Sequence, residues 1–241
     1  MAFKKSLKYI LFLVLIVGLG LLQSFSKKRS GSKKINKITV NFQDDKALFL
    51  SPDMVNKLLI QNVDSLTNQA KSKLDLHNLE CKVIENPYVA RASVYLTLTG
   101  QLETTVTERE PIARIVSQSG SFYIDSKGVK LPLTENYTPR VILVTGIETP
   151  EAVQNITPLL GKIYEDEFLK KELIGVRMKA NKELEFQVRS ADYKIAFGKI
   201  NEVDIKFKKL KAFYKKSFTD QIMKDYKNIN LKYHNQVVCT K

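Results

Sequence analysis

Residues 86–114 constrain the fold of this chain more tightly than any other stretch. Pro87 has no N–H with which to continue a preceding helix, and it drives Asn86 toward extended geometry. Beyond it Ala92, Val94, Leu96 and Leu98 fall on every second position, the period of a half-buried strand. Gly100 supplies a turn, and Leu102, Thr104 and Val106 resume the alternation. Pro111 then removes a ladder donor and ends the pairing. The stretch is predicted to be a β-hairpin that stops abruptly where a second domain begins. A hairpin cannot cover its own apolar face, so helices have to be found upstream.

They are legible. Ser51-Pro52 reads as a helix start, with Ser as N-cap and Pro at the first helical position, followed by a stripe of Val55, Leu58 and Leu59. A second helix is predicted over about Asp75–Glu85, with Leu76, Leu79 and Val83 on one face. Ile35–Phe42 alternates and reads as the first strand. Residues 35–110 thus run strand, helix, helix, strand, strand. That order predicts a small three-stranded sheet with both helices on one face, its core drawn from Leu76, Leu79, Val83, Val94, Leu96 and Val106.

Residues 111–241 read as a mixed β-domain with two packed helices, which makes the chain α+β. Short strands are predicted at Ile112–Gln118, Ser121–Ile124 and Val141–Val144, with turns at Ser119-Gly120 and Asp125-Ser126-Lys127-Gly128. One helix should cover roughly Pro150–Lys170, followed by strands at Ile174–Met178, Leu184–Val188 and Tyr193–Phe197. Val203, Phe207, Leu210, Tyr214 and Phe218 recur at helical spacing, and Lys206, Lys208, Lys209, Lys211, Lys215 and Lys216 read as the solvated face of that helix. Ile229–Tyr233 and Val237–Cys239 read as terminal strands.

The net charge of +14 invites a nucleic-acid reading until it is divided along the chain. Residues 1–40 hold nine basic groups and no acidic one, 41–198 hold 19 and 21, and 199–241 hold 11 and four. The excess sits at the two ends. That suits a chain lying against anionic lipid at its start better than one wrapped around phosphate, and no helix-turn-helix or RNA-binding signature accompanies it.

Tyr9–Ser26 is an uncharged run of 18 residues, about 27 Å long as a helix and close to a bilayer core. Ser24-Phe25-Ser26 loosely imitates a signal-peptide cleavage site, but the run exceeds a signal core and Lys27-Lys28-Arg29 would follow the cut. The expectation is an uncleaved transmembrane anchor over 9–26, a cytoplasmic tail over 1–8 and a basic linker over 27–34. Lys4, Lys5 and Lys8 precede the run and Lys27, Lys28, Arg29, Lys33, Lys34 and Lys37 follow it, so a count of basic residues leans toward a cytoplasmic large domain.

Material for catalysis is scarce. His77 and His234 are the only histidines and belong to no triad, and there is no phosphate loop, paired CxxC or nucleophile elbow. Glu108 and Glu110 lie beside Arg109 and Arg114 and read as surface charge rather than a hydrolytic carboxylate pair. His77 and Cys81 have the spacing to share a metal on a helix, but no second pair of ligands lies near them. Cys81 and Cys239 are far apart in sequence and read as two unpaired thiols, a disulfide being the alternative outside the cytoplasm. The chain reads as a protein that binds rather than catalyses, with no cofactor and no metal.

The order of these pieces resembles a known family, the bacterial FtsQ/DivIB cell-division proteins. The resemblance is carried by Leu74-Asp75-Leu76, by Asn86-Pro87-Tyr88-Val89-Ala90-Arg91-Ala92-Ser93-Val94 and by Glu108-Arg109-Glu110-Pro111-Ile112-Ala113-Arg114. Tyr123-Ile124-Asp125-Ser126-Lys127-Gly128 with Leu131-Pro132, then Val144-Thr145-Gly146, Lys206-Phe207-Lys208-Lys209-Leu210 and Ile229-Asn230-Leu231-Lys232-Tyr233, extend it over nearly the whole chain. It implies a POTRA-like domain over 35–110, a β-domain over 111–241, and a non-enzymatic scaffold that links division proteins at the septum. It also implies that the large region lies outside the cytoplasm, against the lysine count. The family's use of its C-terminal region to receive a partner segment points to Ile229, Leu231, Tyr233, Asn235 and Val237 as partner-binding residues, with FtsB/FtsL-type coiled-coil proteins as the partners. A barrel-linked assembly protein would need many more strands than this length allows. A membrane-anchored cell-wall enzyme would need a catalytic cluster absent from these motifs.

Overall fold

Ser51 and Asp75 start the helices at Pro52 and Leu76 by the same device. In a computed structural model describing residues 12–24, 35, 37–43, 48–60, 74–220, 226–234 and 236–241, the Met54 N–H donates to Ser51 Oγ and the Asn78 N–H to Asp75 Oδ1. Each bond satisfies an amide that the first helical turn leaves open. The chain divides into two compact units, Met1–Glu108 and Arg109–Lys241.

In the first unit β1 (Lys37–Phe42), α1 (Pro52–Ile60), α2 (Leu76–Ile84), β2 (Val89–Leu96) and β3 (Gln101–Glu108) follow in that order. The sheet order is β1-β3-β2, with β1 parallel and β2 antiparallel to the central strand. Leu102, Thr104 and Val106 of β3 are buried on the face that also buries Val94, Leu79, Val83, Val55 and Leu59. Leu76 and Leu96, expected in this core, are only half-buried. Thr104 stands opposite both Val40 and Val94, and its buried hydroxyl has no partner among the described residues. Strand β2 ends at Leu96, and Leu98 sits exposed in the turn that Gly100 closes with a φ of 87°. The alternation that carried Leu98 into the strand is coincidence there, because the loop's own bond from Gly100 N–H to the Thr97 carbonyl has replaced the ladder.

Glu108 ends β3, and its role differs from surface charge. Its carboxylate accepts the backbone N–H groups of Leu48, Phe49 and Leu50, the nearest at 2.7 and 2.8 Å, and so holds the chain leading into α1.

Among the described residues the strands of the second unit form one nine-stranded sheet in the order β12-β11-β10-β9-β8-β7-β4-β5-β6. Its strands are β4 (Pro111–Ser117), β5 (Gly120–Asp125), β6 (Lys130–Leu131), β7 (Ile142–Thr145), β8 (Leu173–Met178), β9 (Leu184–Val188), β10 (Lys194–Gly198), β11 (Asn228–Asn230) and β12 (Val238–Thr240). The helices are α3 (Pro150–Glu165), α4 (Glu167–Glu172) and α5 (Val203–Asp220). Val144, Val176, Phe186 and Ile195 meet Ile156, Leu160, Phe207 and Leu210 in one core. Phe186, Phe197 and Phe207 cluster within it, the first two with centroids 4.8 Å apart.

Sequence expectation and structure differ at several points here. The single helix expected over 150–170 is two, because Asp166 adopts extended geometry and caps a new helix by accepting from the Phe168 and Leu169 amides. There are therefore three described helices in this unit, not two. The lysine face of α5 is only partly solvated. Lys206 is buried, with Nζ donating to the Lys199 carbonyl and Asn201 Oδ1 while lying over the Phe197 ring. Burial pushes its ammonium below the usual lysine range. The side chain of Phe218 lies outside the described residues.

The largest correction concerns the N-terminus. The described helix there spans residues 12–24, about 20 Å long at 1.5 Å per residue, well short of a bilayer core. Among the described residues no helix is long and apolar enough to cross a membrane. The transmembrane helix expected over 9–26 is thus not found. The expected tail over 1–8 and linker over 27–34 lie outside the described residues.

Candidate partner-binding surface

Strand β11 is too short and too well covered to be an edge. It runs only from Asn228 to Asn230, pairing with β10 in parallel on one side and with β12 antiparallel on the other. Ile229 stands opposite Ile195 and Cys239 and is fully buried. The outer strand is β12, which pairs with β11 alone among the described residues. One row of its backbone N–H and C=O groups therefore faces away from the sheet, the arrangement that accepts an added strand. The opposite end of the sheet, β6, is two residues long and runs into Pro132, which has no N–H to offer.

The chain between β11 and β12 forms a shoulder beside this edge. Leu231 is fully buried, and its N–H continues the pairing by donating to the Ala196 carbonyl. Lys209 of α5 donates to the carbonyl oxygens of Leu231 and Tyr233. Lys232 reaches Glu183 at 2.5 Å, and that bond holds the Glu183 carboxyl below its ordinary range. His234 Nδ1 lies 3.4 Å from Glu202. These contacts fasten the backbone while the Tyr233 ring stays 49% exposed. Val237 is half-buried against the core, and Val238 on β12 is 37% exposed. Asn235 lies outside the described residues.

Of the residues expected to bind a partner, Ile229 and Leu231 are core positions that hold the edge, and Tyr233 and Val237 border it. Sequence reasoning missed Val238 as an exposed position on the outer strand. A three-residue strand carries too little alternation to declare which of two neighbours lies outermost.

A chain of hydroxyls lies at the other end of β10, where Tyr193 precedes Lys194. Tyr193 donates to Tyr214, which donates to Glu172, the carboxylate that Ser190 also reaches. Burial pushes both phenols up, and hydrogen bonding to its neighbours pushes Tyr214 further, so both stay protonated. The network ties α4, α5 and the turn between β9 and β10 together. It has no motif and could be found only from the fold.

Elsewhere the carboxylates are structural. Asp125 is buried, pairs with Arg109 at 2.8 Å and accepts the Lys127 and Val129 amides, which shapes the turn to Gly128. Glu110 accepts the Tyr164 hydroxyl. Arg109 and Arg114, read from sequence as the partners of these glutamates, turn instead to Asp125 and to the Tyr123 ring. His77 Nε2 and Cys81 Sγ lie 3.7 Å apart on α2, and among the described residues no group of three or more metal-ligating side chains assembles. Cys81 is exposed, Cys239 is half-buried, and both are free.

Two family patterns fit this architecture. The one described as "FtsQ/DivIB, C-terminal related" matches residues 110–240, and that of a POTRA-like domain matches 33–107. This chain belongs to the FtsQ/DivIB family. Membership makes it a cell-division protein, a component of the divisome that interacts with other division proteins. No curated protein matches the chain. Among solved structures it is similar to the major extracytoplasmic domain of the trans isomer of the bacterial cell division protein DivIB from Geobacillus stearothermophilus. That match is 14% identical, covers 34% of this chain and 71% of that one, and has a TM-score of 0.26, too low to carry an argument.

Proposed function

We propose that this FtsQ/DivIB-family protein is a non-enzymatic scaffold of the divisome that connects septal division proteins through regions lying outside the cytoplasm. Its partner at the C-terminal edge is a complex of small coiled-coil proteins of the FtsB/FtsL type. The observation that carries this reading is the open side of β12, flanked by the exposed Tyr233 and Val238. An extended partner segment adds to that edge as a tenth strand. Backbone bonds supply much of the affinity, Tyr233, Val237 and Val238 give selectivity, and Ile229 and Leu231 keep the edge in place.

The test is co-purification of the tagged full chain from detergent-solubilised membranes, read by mass spectrometry. Tyr233→Asp combined with Val238→Asp should abolish capture of the coiled-coil proteins while leaving the melting temperature nearly unchanged. Undiminished capture, or loss only through unfolding, would remove the β12 edge from the account.

A further inference from the structure

We propose that a pocket at the start of the parallel strands β4, β7 and β8 is a second docking site. It takes an acidic segment of a partner protein in which a carboxylate neighbours an aliphatic side chain. The cavity, about 260 Å³, is walled by Ile112, Ile142, Ile163 and Leu173 and has Arg140, Lys170 and Arg189 around it. None of its lining residues is acidic. Ile174 at the same mouth is 42% exposed, an aliphatic group left in water beside the cations.

The state of those cations is what points to an anion. Arg109, Lys162, Lys211 and Lys232 of the same unit each pair with a carboxylate. Arg140 and Arg189 have no side-chain hydrogen bond or ion pair among the described residues, and Lys170 lies 3.5 Å over the Tyr164 ring. The nearby carboxylates accept hydroxyls and do not pair with these cations, Glu110 taking Tyr164 and Glu172 taking Tyr214 and Ser190. The C-terminal end of α3, with about half a charge, and the Glu110 and Glu172 carboxylates oppose an anion here, and the three cations of Arg140, Lys170 and Arg189 favour it.

Size and charge together favour this occupant. The volume lies just below the range of roughly 300–1,000 Å³ that holds drug-sized ligands, a size that suits a side chain and a carboxylate. Guanidinium groups grip a carboxylate through two parallel bonds, and the isoleucine wall takes the neighbouring aliphatic group. The site is separate from β12, so its failure would leave the scaffold proposal standing.

The probe is a fluorescein-labelled peptide, Gly-Ser-Glu-Leu-Asp-Leu-Ser-Gly, titrated against the full chain by anisotropy, with the Gln/Asn peptide as its uncharged control. The acidic peptide should bind more tightly than the control. Arg140→Glu with Arg189→Glu should weaken it by at least about tenfold, as expected for losing charge-assisted hydrogen bonds. Lys208→Glu, at an exposed lysine of α5, should leave binding unchanged, and all variants should keep the wild-type melting temperature. Equal binding of both peptides, or acidic binding that survives the double substitution, would overturn the proposal. So would arginine-dependent binding to anionic phosphatidylglycerol vesicles without peptide binding, which would assign the pocket to lipid headgroups.

Discussion

Replacing Glu108 by Ala removes one side chain and three hydrogen bonds. The carboxylate accepts from Leu48 at 2.8 Å, from Phe49 at 3.2 Å and from Leu50 at 2.7 Å. Bonds to a charged group contribute about 1.5–3 kcal/mol each when shielded. Here Phe49 and Leu50 are buried residues, whereas the Leu48 bond is exposed and water takes over that amide readily. The expected loss is therefore about 3 kcal/mol rather than the sum of three shielded bonds. Glu108→Gln keeps an acceptor oxygen without the charge and should cost about 1 kcal/mol. Urea unfolding of the full chain gives the stability change. Amide exchange at Leu48, Phe49 and Leu50 localises it, and it should accelerate in the Ala variant while the core amides of β10 stay protected. A loss below about 0.5 kcal/mol with unchanged exchange at these amides would refute the role assigned to Glu108.

Gly146→Ala should be among the most damaging changes in the second unit. A Cβ there would lie 2.2 Å from the Met178 carbonyl oxygen at a φ of 80°, so a loss of about 3 kcal/mol or more is expected, seen as a lowered melting temperature. Leu79→Ala empties a position that is 2% exposed and should cost about 2–5 kcal/mol in denaturant unfolding of the first unit. At Asp166 burial raises the carboxyl pKa, but bonds from Lys211 and from the Leu169 and Phe168 amides outweigh it and bring it below 3.8. A folded value below the unfolded one contributes stability above the unfolded pKa and loses it as pH falls through the folded value. The second unit of the wild type should thus lose stability on acidification below about pH 4, and Asp166→Asn should lack that share of the loss in pH-dependent unfolding.

The first unit was the more legible because its signals are local and strong. Ser51-Pro52, Asp75 and the Pro87 stop fix where helices begin and end, and the alternation through Val94 and Val106 fixes the buried face. The last turn of a strand is harder, as Leu98 shows, since periodicity continues into a loop that no longer pairs. In the second unit the break at Asp166 is not legible in the spacing, because the capping bonds to Phe168 and Leu169 depend on side-chain geometry. The burial of Lys206 depends on a loop folded back over it, which spacing along α5 cannot reveal. At the N-terminus the uncharged run is real, yet the described helix covers only 12–24 of it. At the candidate surface the sequence reading centred on Ile229–Tyr233, whereas the outermost strand is β12. Strand order is a long-range property, set here by β11 entering between β10 and β12.

A photo-crosslinking amino acid placed at Val238 in dividing cells tests β12 as the receiving edge directly. With the same probe at Leu98, exposed in a turn of the first unit, as the comparison, the account predicts covalent capture of the small coiled-coil division proteins from Val238 alone. Equal capture from both positions, or none from Val238 while the protein still supports division, would contradict it.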